Sequence, residues 1–207
     1  MTRETQAIQD DIAYMRSLAH EGRHAPLLAG PILVTAAIVF GGASVGQWAF
    51  QSGMIQVSPW AELWLWMGSG LVFAVALMTL IGRMKGKPGI SSAGNKAVGA
   101  AWSGVGYGIF VTWLALVALS VKTDNWSWMA MMPTAVLVAY GSAWMIGAAM
   151  TKTRWMSFTA LAAYAGAVAV AWFIDSAMIY LVFAVVLMAV ALVPGIILTR
   201  QEPSEVV

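Results

Sequence analysis

Residues 25–50 read "APLLAGPILVTAAIVFGGASVGQWAF", a stretch with no acidic, basic or histidine side chain. Such a run leaves few ways to fold. A helix satisfies its own peptide groups, and about 20 helical residues at about 1.5 Å each cross a hydrocarbon layer about 30 Å thick. A helix of this length lying in water would need a charged or polar face, and this segment offers none. Five more tracts share its character: about 63–82, 97–121, about 129–150, 156–174 and 177–198. Only Asp175 and Ser176 separate the last two, which predicts a tight hairpin. The fold class expected is therefore all-α, a polytopic transmembrane bundle of six spans over 25–198. Residues 1–24 are expected to form a short amphipathic cytoplasmic helix, and 199–207 a cytoplasmic tail.

Composition agrees with a lipid environment. The chain is 60% apolar and 10% charged, against about 25% charged residues in soluble domains. Cysteine is absent, which excludes disulfides, thiolate nucleophiles and Cys-ligated metal centres. No cleavable signal is expected, because the first apolar run is longer than a signal core of roughly 7–15 residues.

The basic residues assign a direction. Arg3, Arg16, Arg23, Arg83, Lys85, Lys87, Lys96, Lys152, Arg154 and Arg200 fall on one side of the six tracts, and Lys122 alone on the other. Basic residues near span ends are retained in the cytoplasm, so both termini are expected there, in a bacterial inner membrane. Trp48, Trp60, Trp64, Trp66, Trp126, Trp128 and Trp172 gather near the opposite span ends, as an aromatic belt at headgroup level does. Glu62, Asp124 and Asp175 share that side. Carboxylates at a wet interface need no function, and an outward cation vestibule is the sharper alternative.

No formal charge lies inside a span. Ion-coupled carriers and proton relays place ionisable groups there; this chain offers Gln47, Ser69, Ser103, Tyr107, Thr112, Tyr140, Ser142, Thr159 and Tyr164 instead. Pro31, Pro133 and Pro194 are expected to bend or locally break helices.

Two motifs invite chemistry and are read as chance. His20-Glu21-Gly22-Arg23-His24 is a literal H-E-x-x-H. A zinc protease needs both imidazoles on one helical face, a third ligand and an open position. Gly22 and Pro26 end the helix between or just after the two histidines, and no further His exists. Asp10 and Asp11 are about 15 Å away along the helix. His20 and His24 are thus the only metal candidates, and neither metal nor cofactor is expected. Val105-Gly106-Tyr107-Gly108 resembles the potassium-channel selectivity filter over four residues, but Gly104 stands where the filter has threonine, and the motif lies inside a continuous span. Gly104 with Gly108, and Gly42 with Gly46, instead read as small-xxx-small ridges for helix packing. "LVFAVALM" (71–78) and "LVFAVVLM" (181–188) differ at one position, a likeness expected by chance in so reduced an alphabet.

The segment best suited to a partner is N-terminal. Ile8, Ile12, Met15 and Leu18 recur at helical spacing, giving an apolar stripe that the protein's own cytoplasmic loops, the lipid interface or another chain must cover. Four acids against three bases in this segment argue against a lipid-surface helix, which is usually rich in Lys and Arg. The layout of a short cytoplasmic helix followed by six Ala-, Val-, Leu- and Trp-rich spans resembles small bacterial inner-membrane proteins, a likeness that carries no functional residue across. The expected role is non-enzymatic: a membrane anchor or regulatory partner, held in the lipid bilayer, that binds a cytoplasmic protein or a second copy through Ile8, Ile12, Met15 and Leu18. A carrier or channel for a small neutral or hydrophobic solute is the runner-up, with Tyr107, Tyr140 and Tyr164 lining its cavity. A zinc metalloprotease is a remote third. No nucleic-acid or nucleotide motif is present.

Overall fold

The structure, a computed structural model, describes residues 27–85, 87, 90 and 92–202. Among them every regular element is helical. Helix α1 is Gly30–Gln51, α2 Pro59–Met84 and α3 Ala93–Thr123. A 3-10 stretch, Trp126–Met131, leads into α4, Met132–Thr151. Helix α5 is Arg154–Ala171, and the last described elements form a rod made of α6 (Met178–Leu187), a π-helical turn (Met188–Leu192) and α7 (Val193–Gln201).

The punctuation follows local chemistry. Proline opens α1, α2 and α4 at their first turns, where a missing N–H costs no helical hydrogen bond. The Ser92 hydroxyl caps α3 by accepting from the Asn95 N–H at 3.2 Å. Helix α3 stops at Asp124 and α4 at Lys152, both in the left-handed region with φ of 49° and 55°, a conformation common at helix ends.

Among the described residues, five helical stretches are long and apolar enough to cross a membrane: Gly30–Gln51, Trp60–Met84, Gly94–Thr123, Trp126–Thr151 and Met178–Gln201. Six such spans were expected. The tract at 156–174 forms the 18-residue α5, whose sequence is rich in Ala and includes Arg154, Ser157, Thr159 and Tyr164. It is accordingly less apolar per residue than its neighbours.

The helices divide into a centre and two flanks. Helix α1 packs against α6, the π turn and α7; α4 packs against α5 in the most extensive contact; α5 packs against α6. Helix α2 rests mainly on α1 and α3 mainly on α4 and the 3-10 stretch, with no substantial contact between α2 and α3. Leu71, Val72 and Met78 of α2 and Tyr107, Phe110 and Val111 of α3 are correspondingly exposed.

One indole organises the centre. Trp144 of α4 is fully buried, with Trp102 of α3 edge-on at 5.6 Å and Trp155 of α5 at 5.7 Å between ring centroids. Its Nε1–H donates to the Val190 carbonyl in the π turn at 2.9 Å. In a regular helix that carbonyl would accept from residue 194. Residue 194 is proline and has no N–H. The backbone re-routes through the π turn, where the Val193 N–H reaches the Met188 carbonyl, and Trp144 supplies Val190 with a donor from another helix. Pro194 is therefore a local break repaired by a neighbouring helix, as buried helices require.

Close helix approach occurs at glycines other than the expected ones. A Cβ on Gly30 would lie 2.5 Å from the Thr199 backbone nitrogen, and one on Gly195 would lie 2.9 Å from that of Val34. Backbone therefore meets backbone where α1 crosses α7. Gly141 takes the Tyr164 ring, and Gly166 takes Val186. Of the expected ridges, Gly46 has Leu65 at 3.4 Å, whereas Gly42, Gly104 and Gly108 have nothing within 4 Å. Gly42, Gly104 and Gly108 lie on exposed sides of α1 and α3 that turn away from the bundle.

Adding a methyl group should separate the two sets. Gly30→Ala or Gly195→Ala should destabilise by about 1–3 kcal/mol, because the obstructing atoms are backbone and cannot give way. Gly104→Ala and Gly108→Ala should stay within about 0.5 kcal/mol of the parent. Reversible unfolding in mixed micelles reads both, and equal effects in the two sets would contradict the crossing geometry.

Candidate functional site

The buried stripe of α1 includes Leu33, Ala36, Ala37, Ala43, Ser44 and Gln47. Its periodicity carries Gln47 inward, where the side chain is 1% exposed. A buried amide must find partners, and α2 supplies two from one face. The Gln47 Nε2 donates to Glu62 Oε2 at 2.5 Å, and Trp66 Nε1 donates to Gln47 Oε1 at 3.0 Å. Glu62 and Trp66 are four residues apart, one helical turn. Glu62 also lies in the first turn of α2, where the helix dipole favours an anion. Tyr180, from α6, closes the group with its ring 6.3 Å from that of Trp66.

This cluster joins α1, α2 and α6 at the Trp-rich end. Among the described residues no Lys, Arg or His pairs with Glu62, so the buried amide is the carboxylate's hydrogen-bond partner. The arrangement holds three helices in register and presents one carboxylate near the helix ends. Among the described residues, no three His, Asp or Glu side chains gather in a way that could hold a metal ion.

The opposite end carries a second set of tethers. Leu27 and Leu28 are 5% and 2% exposed, and the Leu28 N–H donates to Asn95 Oδ1 at 3.1 Å. The joint ahead of α1 is thereby seated against the start of α3. Lys87 Nζ meets Glu202 Oε2 at 2.5 Å, with the Glu202 side chain only 4% exposed. The connection after α2 is thus pinned to the end of the rod. Between α1 and α7, Pro31, Val34, Thr35, Ile196, Thr199 and Arg200 line an open groove of about 400 Å³.

The sequence-predicted sites distribute unevenly over this picture. Ile8, Ile12, Met15 and Leu18, and the metal candidates His20 and His24, lie outside the described residues. The three tyrosines do not line one cavity. Tyr107 is 75% exposed, Tyr140 packs edge-on against Trp102 at 5.0 Å, and Tyr164 lies against Gly141 with its hydroxyl 3.2 Å from that of Ser142. Residues 105–108 continue helix α3 without interruption, which no selectivity filter does.

Trp66 departs from its expected place in the aromatic belt, because its indole N–H is turned inward to Gln47. Trp60, Trp64, Trp126 and Trp172 remain exposed. The signal for the cluster was present in the sequence: Gln47 falls on an otherwise apolar helical stripe, and an acceptor and a donor follow at 62 and 66.

Replacing Gln47 with Leu removes the partner of both Glu62 and Trp66. The expected loss is about 1–3 kcal/mol, measured by reversible unfolding. Glu62→Gln retains an acceptor oxygen and should cost less than Gln47→Leu; the reverse order would contradict the network.

No family model matches the chain, and neither a curated protein nor a solved structure matches it.

Proposed function

We propose that this chain is a six-span inner-membrane protein of bacterial type, with both termini in the cytoplasm, and that it acts by association rather than by catalysis. The sixth span on this reading is α5. Its 18 residues reach about 27 Å, close to the hydrocarbon thickness. Its modest apolarity is compatible with crossing because Met156, Ala160, Ala163, Gly166, Ala167 and Val170 are buried against neighbouring helices. Its ends also match the other spans, with Lys152 and Arg154 at one and Trp172 at the other. The ten-to-one division of basic residues supports the orientation.

The observation that carries the association reading is the joint at Leu27 and Leu28. Both side chains are buried, and the Leu28 N–H is held by Asn95. The start of α1 is therefore held at a fixed point at the basic end. The stripe of Ile8, Ile12, Met15 and Leu18 is the proposed surface for a cytoplasmic protein or a second copy, with the bundle as anchor.

Orientation and docking are tested separately. The chain has no cysteine, so Asp124→Cys should react with a membrane-impermeant maleimide in intact cells, and Lys152→Cys only after permeabilisation. The opposite pattern would invert the topology. Changing Ile8, Ile12, Met15 and Leu18 together to Ser should abolish recovery of a stoichiometric partner from native membranes. Identical recovery with and without the changes would sink the docking role.

A further inference from the structure

The groove between α1 and α7 is built unlike the rest of the apolar surface. Its walls come from the first turns of α1 (Pro31, Val34, Thr35) and the last turns of α7 (Ile196, Thr199, Arg200). It lies beside the backbone crossing at Gly30 and Gly195, so its floor is fixed by the tightest helix approach described above. Its volume of about 400 Å³ is within the range of about 300–1,000 Å³ usual for small-molecule sites.

The chemistry of the lining is selective. The two threonines have spent their hydroxyl donors on their own helices: Thr35 Oγ1 donates to the Pro31 carbonyl and Thr199 Oγ1 to the Gly195 carbonyl, each at 2.8 Å. The remaining wall atoms are largely hydrocarbon. Arg200 is the one charged residue of the lining, and among the described residues no carboxylate pairs with it. Glu202, two residues on, is engaged by Lys87. A guanidinium with five donors, unpaired by any carboxylate among the described residues, at the mouth of an apolar groove near a helix end, fits a phosphate above an acyl chain.

We propose that this groove is a binding site for one anionic phospholipid, with the phosphate on Arg200 and the upper part of an acyl chain along Val34, Thr35 and Ile196. The assignment rests on the membrane reading given above, which places Arg200 at the cytoplasmic leaflet. Anionic lipid is concentrated near such basic residues, each contributing about 1 kcal/mol of attraction. Free phosphate would satisfy Arg200 but leave the apolar wall uncovered.

The test uses the full chain, purified in a mild detergent and titrated with phosphatidylglycerol or phosphatidylcholine bearing identical acyl chains. Bound lipid is counted by native mass spectrometry. The parent should hold one phosphatidylglycerol about five-fold more tightly than phosphatidylcholine, the ratio that one basic contact of this size gives. Arg200→Gln should lose that preference and Arg200→Lys keep it, while Lys152→Gln, removing a basic residue outside the groove, should leave it intact. Val34→Trp, which fills the groove, should weaken both lipids. An unchanged preference in Arg200→Gln, or displacement of the lipid by excess inorganic phosphate alone, would overturn the site. Detergent solution has no sidedness, so the titration reads the site independently of topology, which the labelling of residues 124 and 152 decides.

Discussion

The packing depends on one repaired hydrogen bond. Pro194 deprives the Val190 carbonyl of its ordinary helical donor, and that carbonyl lies in the buried centre of the bundle. An unpaired carbonyl in an apolar interior costs on the order of 1–3 kcal/mol. The Trp144 indole, 2.9 Å away, removes that cost and in doing so fixes the position of α4 against the final rod. Trp102 and Trp155 then pack on the same ring from α3 and α5. Much of the apolar centre can be read as surrounding this donor and acceptor.

The glycines complete the arrangement by setting distance rather than direction. Gly30 and Gly195 let α1 cross α7 backbone against backbone, Gly141 receives the Tyr164 ring, and Gly166 receives Val186. Helix packing without a strong hydrophobic drive between helices relies on such close fits. The result is a dense centre of α1, α4, α5 and the rod, with α2 attached mainly through α1 and α3 mainly through α4. The polar contacts are placed at the ends: Gln47 with Glu62 and Trp66 at one, Lys87 with Glu202 and Leu28 with Asn95 at the other.

The helices themselves were legible because long uncharged tracts have one physical solution. Their faces were not. A helix that is apolar on every side carries no periodic contrast, so residues 97–121 do not disclose that Gly104 and Gly108 point away from the bundle while Trp102 points in. Small-residue ridges identify where an approach is permitted, and 30 and 195 permit one as well as 104 and 108 do. The role of Trp144 was hidden for a different reason: it exists only because of a proline 50 positions later in the sequence. Gln47 was the most legible polar site, since a buried amide demands partners, yet Trp66 was assigned to the interface because tryptophan near a span end usually belongs there. The less apolar α5 shows the converse, a tract whose neighbours, rather than its own side chains, shield it.

The direct test of this account is a double-mutant cycle on Trp144→Phe and Pro194→Ala, followed by reversible unfolding in mixed micelles. The phenylalanine change removes the donor to Val190, and the alanine change restores the backbone N–H that Val190 lacks. The account predicts that Trp144→Phe costs less in the Pro194→Ala background than in the parent, with a coupling of about 1 kcal/mol or more. Additivity to within about 0.5 kcal/mol would show that the indole merely fills space, and would contradict it.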